Sequence, residues 1–169
     1  MDILLSADEV TARVETLADR IAPEIADGTI VVCLLTGALW FTADLTRALS
    51  RKGKRLAFDA LWLSGYGDAH VHSGETRVRA GLQRSVKGAE VLILDDVLDS
   101  GLSLKGAVEI VRAAGAGRIL TCVFARKPWP KPRIEPDFVG WEAPARYLAG
   151  YGMDDAGRLR ELPGVVALD

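Results

Sequence analysis

Val91-Leu92-Ile93-Leu94-Asp95-Asp96-Val97-Leu98-Asp99-Ser100-Gly101-Leu102-Ser103 decides the fold class of this chain. An apolar run leads directly into a polar segment, and Leu104, Ala107, Val108 and Val111 then recur at helical spacing up to Gly115. The pattern predicts a buried strand over Glu90 to Leu94, a polar turn over Asp95 to Gly101, and a helix. The same unit appears upstream. Thr29 to Leu35 is a β-branched apolar run ending at Thr36-Gly37, and a helical stretch follows from Ala38 to about Arg51. Downstream, Arg118 to Ala125 predicts a further strand. A first helix opens at Ser6, where Glu9 completes a capping box. With Val10, Val14, Leu17, Ile21 and Ile25 on one face, it is expected to run to about residue 25. Strands alternating with helices predict an α/β fold, a mostly parallel twisted sheet flanked by helices.

Between these units, Leu56 to Leu63 predicts a strand and Ser64 to Gly74 a polar, Gly-rich loop. Thr76 to Leu82 alternates, with Val78, Ala80 and Leu82 on one face, so the three pieces are expected to form a long hairpin. Pro128, Pro130, Pro132 and Pro136 exclude helix from a basic loop. The short segments near Phe138 and Tyr147 are expected to form an irregular cap. Trp40 and Trp62 are expected in the core or at an interface.

The 169 residues, 49% of them hydrophobic, suffice for one domain with a sizeable core. Lysine and arginine number 21 against 23 acidic residues, so no global positive field exists to hold nucleic acid or an anionic membrane. A small-molecule partner is favoured. No apolar run approaches the roughly 20 residues of a membrane span. The opening Met1-Asp2-Ile3-Leu4-Leu5-Ser6 lacks the basic segment of a signal peptide, so a cytosolic protein is expected. Cys33 and Cys122 lie in apolar runs and read as small core hydrophobes. His70 and His72, the only histidines, sit in the Gly-rich stretch without a metal-ligand spacing, so a general base is expected to be a carboxylate.

The segment from Asp95 to Ser103 falls at the carboxyl end of its strand, where ligands gather in parallel sheets. Ser100 and Ser103 offer hydroxyls, Gly101 allows close backbone approach, and the following helix directs free amides and its positive dipole end at a ligand. These groups suit a phosphate. Asp95 and Asp96 are adjacent acceptors, fit for a ribose diol or for waters around a hard cation. Solvated turn residues or helix caps would look similar one at a time, but not as three aspartates, two serines and a glycine together. A receiver domain also places paired aspartates after a strand. It needs a further acceptor aspartate after a later strand, where this chain has Arg126-Lys127.

Val91 to Ser103 resembles the phosphoribosyl-diphosphate motif of the type I phosphoribosyltransferases, and other segments are similar to the hypoxanthine-guanine phosphoribosyltransferase family in particular. Val31 to Gly37, continuing through Phe41 to Leu45, resembles its diphosphate loop and the helix after it. Tyr66-Gly67-Asp68 with Ser73-Gly74-Glu75 resembles its mobile loop. Arg126-Lys127-Pro128, Asp137 to Gly140, and Gly150-Tyr151-Gly152-Met153-Asp154 with Arg160 and Leu162-Pro163 resemble its base-binding hood. The likeness covers nearly the whole chain in order. It implies a single domain over residues 1–169, with a small irregular hood built from about 126–169 together with the N-terminal residues.

The resemblance also implies roles. Asp95 and Asp96 would bind the ribose hydroxyls and water-linked Mg2+, Ser100, Gly101, Leu102 and Ser103 the 5-phosphate, and Thr36, Gly37 and Arg160 the diphosphate. Asp99 would be the general base at the purine N7. Lys127 would contact the purine O6, Tyr147 would stack on the ring, and Leu148 would offer backbone hydrogen bonds to its pyrimidine edge. Asp154, at the same edge, would ligate the Mg2+ that neutralises the diphosphate. Tyr66 would belong to a loop closing over the site. Thr36 stands where the family usually has lysine or arginine, so one side-chain charge is missing. The implied activity is purine salvage, with hypoxanthine or guanine and phosphoribosyl diphosphate giving IMP or GMP, in a homodimer or homotetramer. The alternative is a regulator of the same fold that binds nucleotide or phosphoribosyl diphosphate and controls gene expression. Arg51-Lys52-Gly53-Lys54-Arg55 offers it a short basic patch, and a net charge of -2 speaks against it.

Overall fold

The computed structural model describes residues 1–64 and 77–169. Strands β1 (Asp2–Leu5), β2 (Ile30–Leu35), β3 (Ala57–Leu63), β4 (Val78–Ala80), β5 (Glu90–Leu98), β6 (Arg118–Arg126), β7 (Phe138–Glu142), β8 (Leu148–Ala149) and β9 (Val165–Ala167) alternate with helices α1 (Ala7–Ile21), α2 (Leu39–Arg51) and α3 (Leu102–Ala113). The main sheet has the order β4-β3-β2-β5-β6-β7. Every neighbouring pair in it is parallel except β3 with β4. A second sheet, β1-β9-β8, is antiparallel and brings the N-terminal strand onto the C-terminal segment.

Central strands buried on both faces read as continuous apolar runs, and the core divides accordingly. Val31, Leu92, Leu94, Cys122 and Phe124 face α1 and α2, whereas Val32, Val91, Ile93 and Val123 face Leu104, Ala107, Val108 and Val111 of α3. The helices after β2 and β5 therefore leave to opposite faces of the sheet. Because these two strands are neighbours, the chain opens a crevice between their carboxyl ends, the topological switch point at which such sheets bind ligands.

Several sequence expectations need correcting. The first helix ends at Ile21, with Pro23 in a short 3-10 turn, Ala22–Glu24, because proline cannot donate into the preceding turn. The capping box at its start is present, Glu9 N donating to Ser6 Oγ at 3.3 Å and Ser6 N to Glu9 Oε2 at 2.8 Å. Strand β5 does not stop at Leu94. It pairs with β6 as far as Leu98 opposite Arg126, so Asp95 and Asp96 lie on the strand rather than in a turn. Phe138–Glu142 is not part of a cap, since it adds to β6 as the parallel edge strand of the main sheet. The expected hairpin exists in its strands, β3 with β4, but β4 is short and exposed. The intervening segment with Tyr66, His70 and His72 lies outside the described residues. Both cysteines are buried, and burial raises both thiols, Cys33 to about 11.

Candidate active site

Two cavities share the end of β5. The larger, about 700 Å3, is lined by Asp95 through Leu104 and by Trp129. Helix α3 begins at Gly101, whose φ of 78° places it in the left-handed region that favours glycine, and no side chain caps it. Its first amides are therefore not consumed by a cap. Only Leu102 N makes a long contact, 3.4 Å, to Ser100 Oγ. An uncapped helix start behind serine hydroxyls holds an anion without any lysine.

The smaller cavity, about 340 Å3, lies at the switch point itself. Thr36 and Gly37 meet Asp95, Asp96 and Ser103 there, with Asp154 and Arg160 from the C-terminal segment. Leu35–Thr36 is a cis peptide. Only glycine fits at position 37, because an added Cβ would sit 1.9 Å from Asp96 Oδ2. The loop after β2 thus rests directly on the second aspartate of β5. From the other side, a Cβ on Gly152 would stand 1.9 Å from the Gly37 carbonyl oxygen. Arg160 Nη1 donates to the Gly152 carbonyl at 2.6 Å and Nη2 pairs with Asp154 Oδ1 at 2.8 Å, while Asp154 Oδ2 accepts from Gly157 N at 2.7 Å. Burial, and after it the neighbouring Asp96 charge, push the Asp95 carboxyl well above the usual carboxylate range. Burial raises Asp96 as well, against backbone hydrogen bonds and the Arg160 charge, which draw it down. Two adjacent carboxylates held out of water favour a cationic or hydroxyl-bearing partner.

Lys127, at the end of β6, reaches across to Asp99 with Nζ 3.3 Å from Oδ2. The lysine side chain is largely covered, while that of Asp99 is half exposed. An acceptor and a donor thus stand side by side beside the larger cavity. Tyr147 is exposed, and its hydroxyl donates to the Asp154 carbonyl at 3.2 Å; Leu148 is buried in β8 opposite Ala167. Lys127, Tyr147 and Leu148 line neither cavity. Asp95, Asp96, Asp99, Ser100 to Ser103, Thr36, Gly37, Asp154 and Arg160 all do.

A chain with this switch-point crevice is similar to known proteins along its whole length. Residues 6–149 match the family model described as phosphoribosyl transferase domain. The hypoxanthine-guanine phosphoribosyltransferase of Bacillus subtilis (strain 168) is 36% identical over 168 residues, covering 98% of this chain and 92% of the relative. That of Aquifex aeolicus (strain VF5) is 34% identical, covering 100% and 95%. The chain belongs to the hypoxanthine-guanine phosphoribosyltransferase family. A solved hypoxanthine phosphoribosyltransferase of Trypanosoma cruzi, a substitution variant in a ternary substrate complex, superposes with a TM-score of 0.90 at 27% identity, covering 100% of this chain and 95% of that one. The α/β fold is that of the type I phosphoribosyltransferases, and the chain is an enzyme of the transferase class.

The two cavities are also lined by residues to which the sequence patterns gave no place in the site. Trp129 forms a wall of the larger cavity, signalled only by an aromatic residue flanked by two prolines in a basic loop. Trp62 lies outside the buried core. It is 40% exposed and lines the smaller cavity together with Arg79, whose guanidinium stands 5.7 Å from its ring centroid. Trp40 packs half-buried against the core. Among the described residues no three acidic, histidine or cysteine side chains gather around one metal position. The Asp95–Asp96 pair and Asp154 are therefore separate donors. That fits Mg2+, which is usually held by one or two carboxylates with waters and substrate phosphates. No helix among the described residues is long and apolar enough to cross a membrane.

Proposed function

We propose that this enzyme transfers the 5-phosphoribosyl group from phosphoribosyl diphosphate to N9 of hypoxanthine and of guanine, giving IMP or GMP and diphosphate. The observation that carries the reading is the Asp99–Lys127 pair, 3.3 Å apart, set above an uncapped helix start. The purine N7 and O6 are neighbouring atoms on one edge of the base. A carboxylate and an ammonium side by side match the proton at N7 and the carbonyl at O6.

The 5-phosphate sits on the amides and hydroxyls of Ser100 to Ser103, and the ribose diol faces Asp95 and Asp96. The diphosphate lies in the smaller cavity against Thr36, Gly37 and Arg160, where Arg79 adds a second guanidinium that offsets the missing lysine before Gly37. Mg2+ would be held by Asp95 and Asp96 and by Asp154, and would supply charge neutralisation at the sugar and the diphosphate. As the bond from C1 of the ribose to the diphosphate oxygen breaks, a bond from N9 to that carbon forms. Asp99 takes the proton that leaves the imidazole ring at N7. Lys127 holds O6, Tyr147 stacks on the ring, and the Leu148 backbone and the Asp154 region meet the pyrimidine edge. The hood, built from the C-terminal segment outside the main-sheet strand Phe138–Glu142 together with the N-terminal residues, completes one domain over 1–169. We assign the protein to the cytoplasm and to a homodimer or homotetramer.

The test is product formation from phosphoribosyl diphosphate and Mg2+ with hypoxanthine, guanine, xanthine, adenine and uracil in parallel. Nucleotide from 6-oxopurines is expected. Failure with every base, while phosphoribosyl diphosphate still binds, would replace the enzyme with a regulator of the same fold.

A further inference from the structure

Beyond Lys127 the chain runs Pro128-Trp129-Pro130-Lys131-Pro132, and three of these five residues have no amide hydrogen to donate. Lys127 N still donates to the Leu98 carbonyl at 3.1 Å, as the last backbone tie between the two loops. Past that point the backbone offers little to hold Asp99 and Lys127 in register, although their side chains must keep a spacing of a few ångströms. Arg133 returns to the place where the backbone donors run out. Its side chain is only 6% exposed. Its Nη1 donates to the carbonyl oxygens of Leu98, at 3.4 Å, and of Asp99, and its Nη2 donates to the Lys127 carbonyl at 2.8 Å. The next residue, Ile134, lies against Gly101 at the start of α3, where an added Cβ would meet Ile134 Cγ2 at 3.0 Å.

We propose that Arg133 is a positioning residue for base transfer: its guanidinium ties the main chains of Asp99 and Lys127 together and thereby sets the spacing of the pair that grips the purine edge. The inference rests on the roles given above to Asp99 and Lys127. Charge alone does not explain the residue. Glu135, the carboxylate beside it at 3.5 Å, is more than half exposed and also pairs with Arg126. The three carbonyls are what the fork addresses. A planar guanidinium reaches carbonyls on two chains at once, whereas a lysine ammonium, a single point on a flexible stem, does not hold both in one geometry. A purine placed wrongly by a fraction of an ångström costs turnover with the base, not affinity for phosphoribosyl diphosphate, whose cradle is built from other residues.

The experiment compares the full-length enzyme with R133K, R133A and D99N. For R133K and R133A, kcat/KM for hypoxanthine is expected to fall about 10- to 100-fold, with phosphoribosyl diphosphate binding by titration calorimetry and the melting temperature of R133K unchanged. Millimolar guanidinium should restore part of the R133A activity, and methylammonium should not. Wild-type kcat/KM in R133K would overturn the proposal. So would a loss that follows melting temperature and affects both substrates alike without guanidinium rescue, because that marks a purely structural residue. If R133A does not fold, R133K carries the test. Normal turnover in D99N would sink the underlying site reading, while an inactive D99N beside an unimpaired R133K would sink the Arg133 inference alone.

Discussion

The end of β5 and the loop after it carry their cavity-lining residues in one continuous run, Asp95 to Ser103, and line the larger cavity almost unaided. The loop after β2 contributes Thr36 and Gly37 and takes the rest of its cavity from β5, the β3–β4 pair and the segment from Gly152 to Arg160. Both follow a parallel strand and precede a helix, so the difference lies in what surrounds them. The first site needs only local backbone, because a helix start supplies amides wherever a strand ends. The second depends on close backbone contacts made by residues far apart in the chain, and such contacts tolerate no added atom. Changes in the first region should therefore remove single chemical steps, and changes in the second should disturb the assembly of the site.

D99N is the largest expected effect. It keeps the shape of the loop and removes the base, so turnover with hypoxanthine should fall by roughly two to four powers of ten while phosphoribosyl diphosphate still binds. Initial-rate kinetics alongside titration calorimetry would check it, and near-normal turnover would erase the role given to Asp99. G37A breaks the other region. A Cβ there collides with Asp96, so loop and carboxylate must separate, and kcat/KM for phosphoribosyl diphosphate should drop about 100-fold. Equal kinetics in G37A and wild type would show that the close approach of the two loops does not matter.

D95N sharpens the comparison from the stability side. Burial and the Asp96 charge raise the Asp95 carboxyl when the chain folds. A raised carboxyl supports folding at low pH, and that support is lost as pH rises through its folded value. At neutral pH a carboxyl raised by folding opposes the unliganded fold, so D95N should melt higher than wild type, by roughly 2–4 °C for each kcal/mol of relief. The gap should narrow as the buffer is made acidic, while nucleotide binding in D95N weakens. A lower melting temperature in D95N at neutral pH would contradict the burial argument.

The smallest effect is expected at Tyr151, which anchors the Gly150–Asp154 segment. Its hydroxyl donates to Asp44 Oδ2 at 2.9 Å, and its ring packs edge-on against Phe124 with centroids 4.8 Å apart. Y151F keeps the ring and loses a hydrogen bond worth about 1 kcal/mol. Thermal melts should fall by roughly 2–4 °C, with kcat little changed. A large loss of activity without a change in melting would place Tyr151 in the chemistry instead.

Periodicity and motif order were enough to read the α/β class, the strand-loop-helix units and the polar loop that lines the larger cavity. These follow from local rules: apolar runs make buried strands, and an aspartate-serine-glycine run before a helix makes an anion cradle. Where the extent of an element depended on a partner strand, the sequence misled. Asp95 and Asp96 look like turn residues until β6 is seen to pair as far as Arg126, and Phe138–Glu142 looks like cap until β6 offers it an edge. Trp62 carries no local signal and Trp129 only its flanking prolines, because their places at the cavities, like the reach of Arg133 to the Lys127 carbonyl, come from chain segments that meet only in the fold. Local composition thus dictates which groups can hold phosphate and accept a proton. Their distances, such as the 3.3 Å between Asp99 and Lys127, are set by long-range packing and by side chains that bridge loops the backbone cannot join.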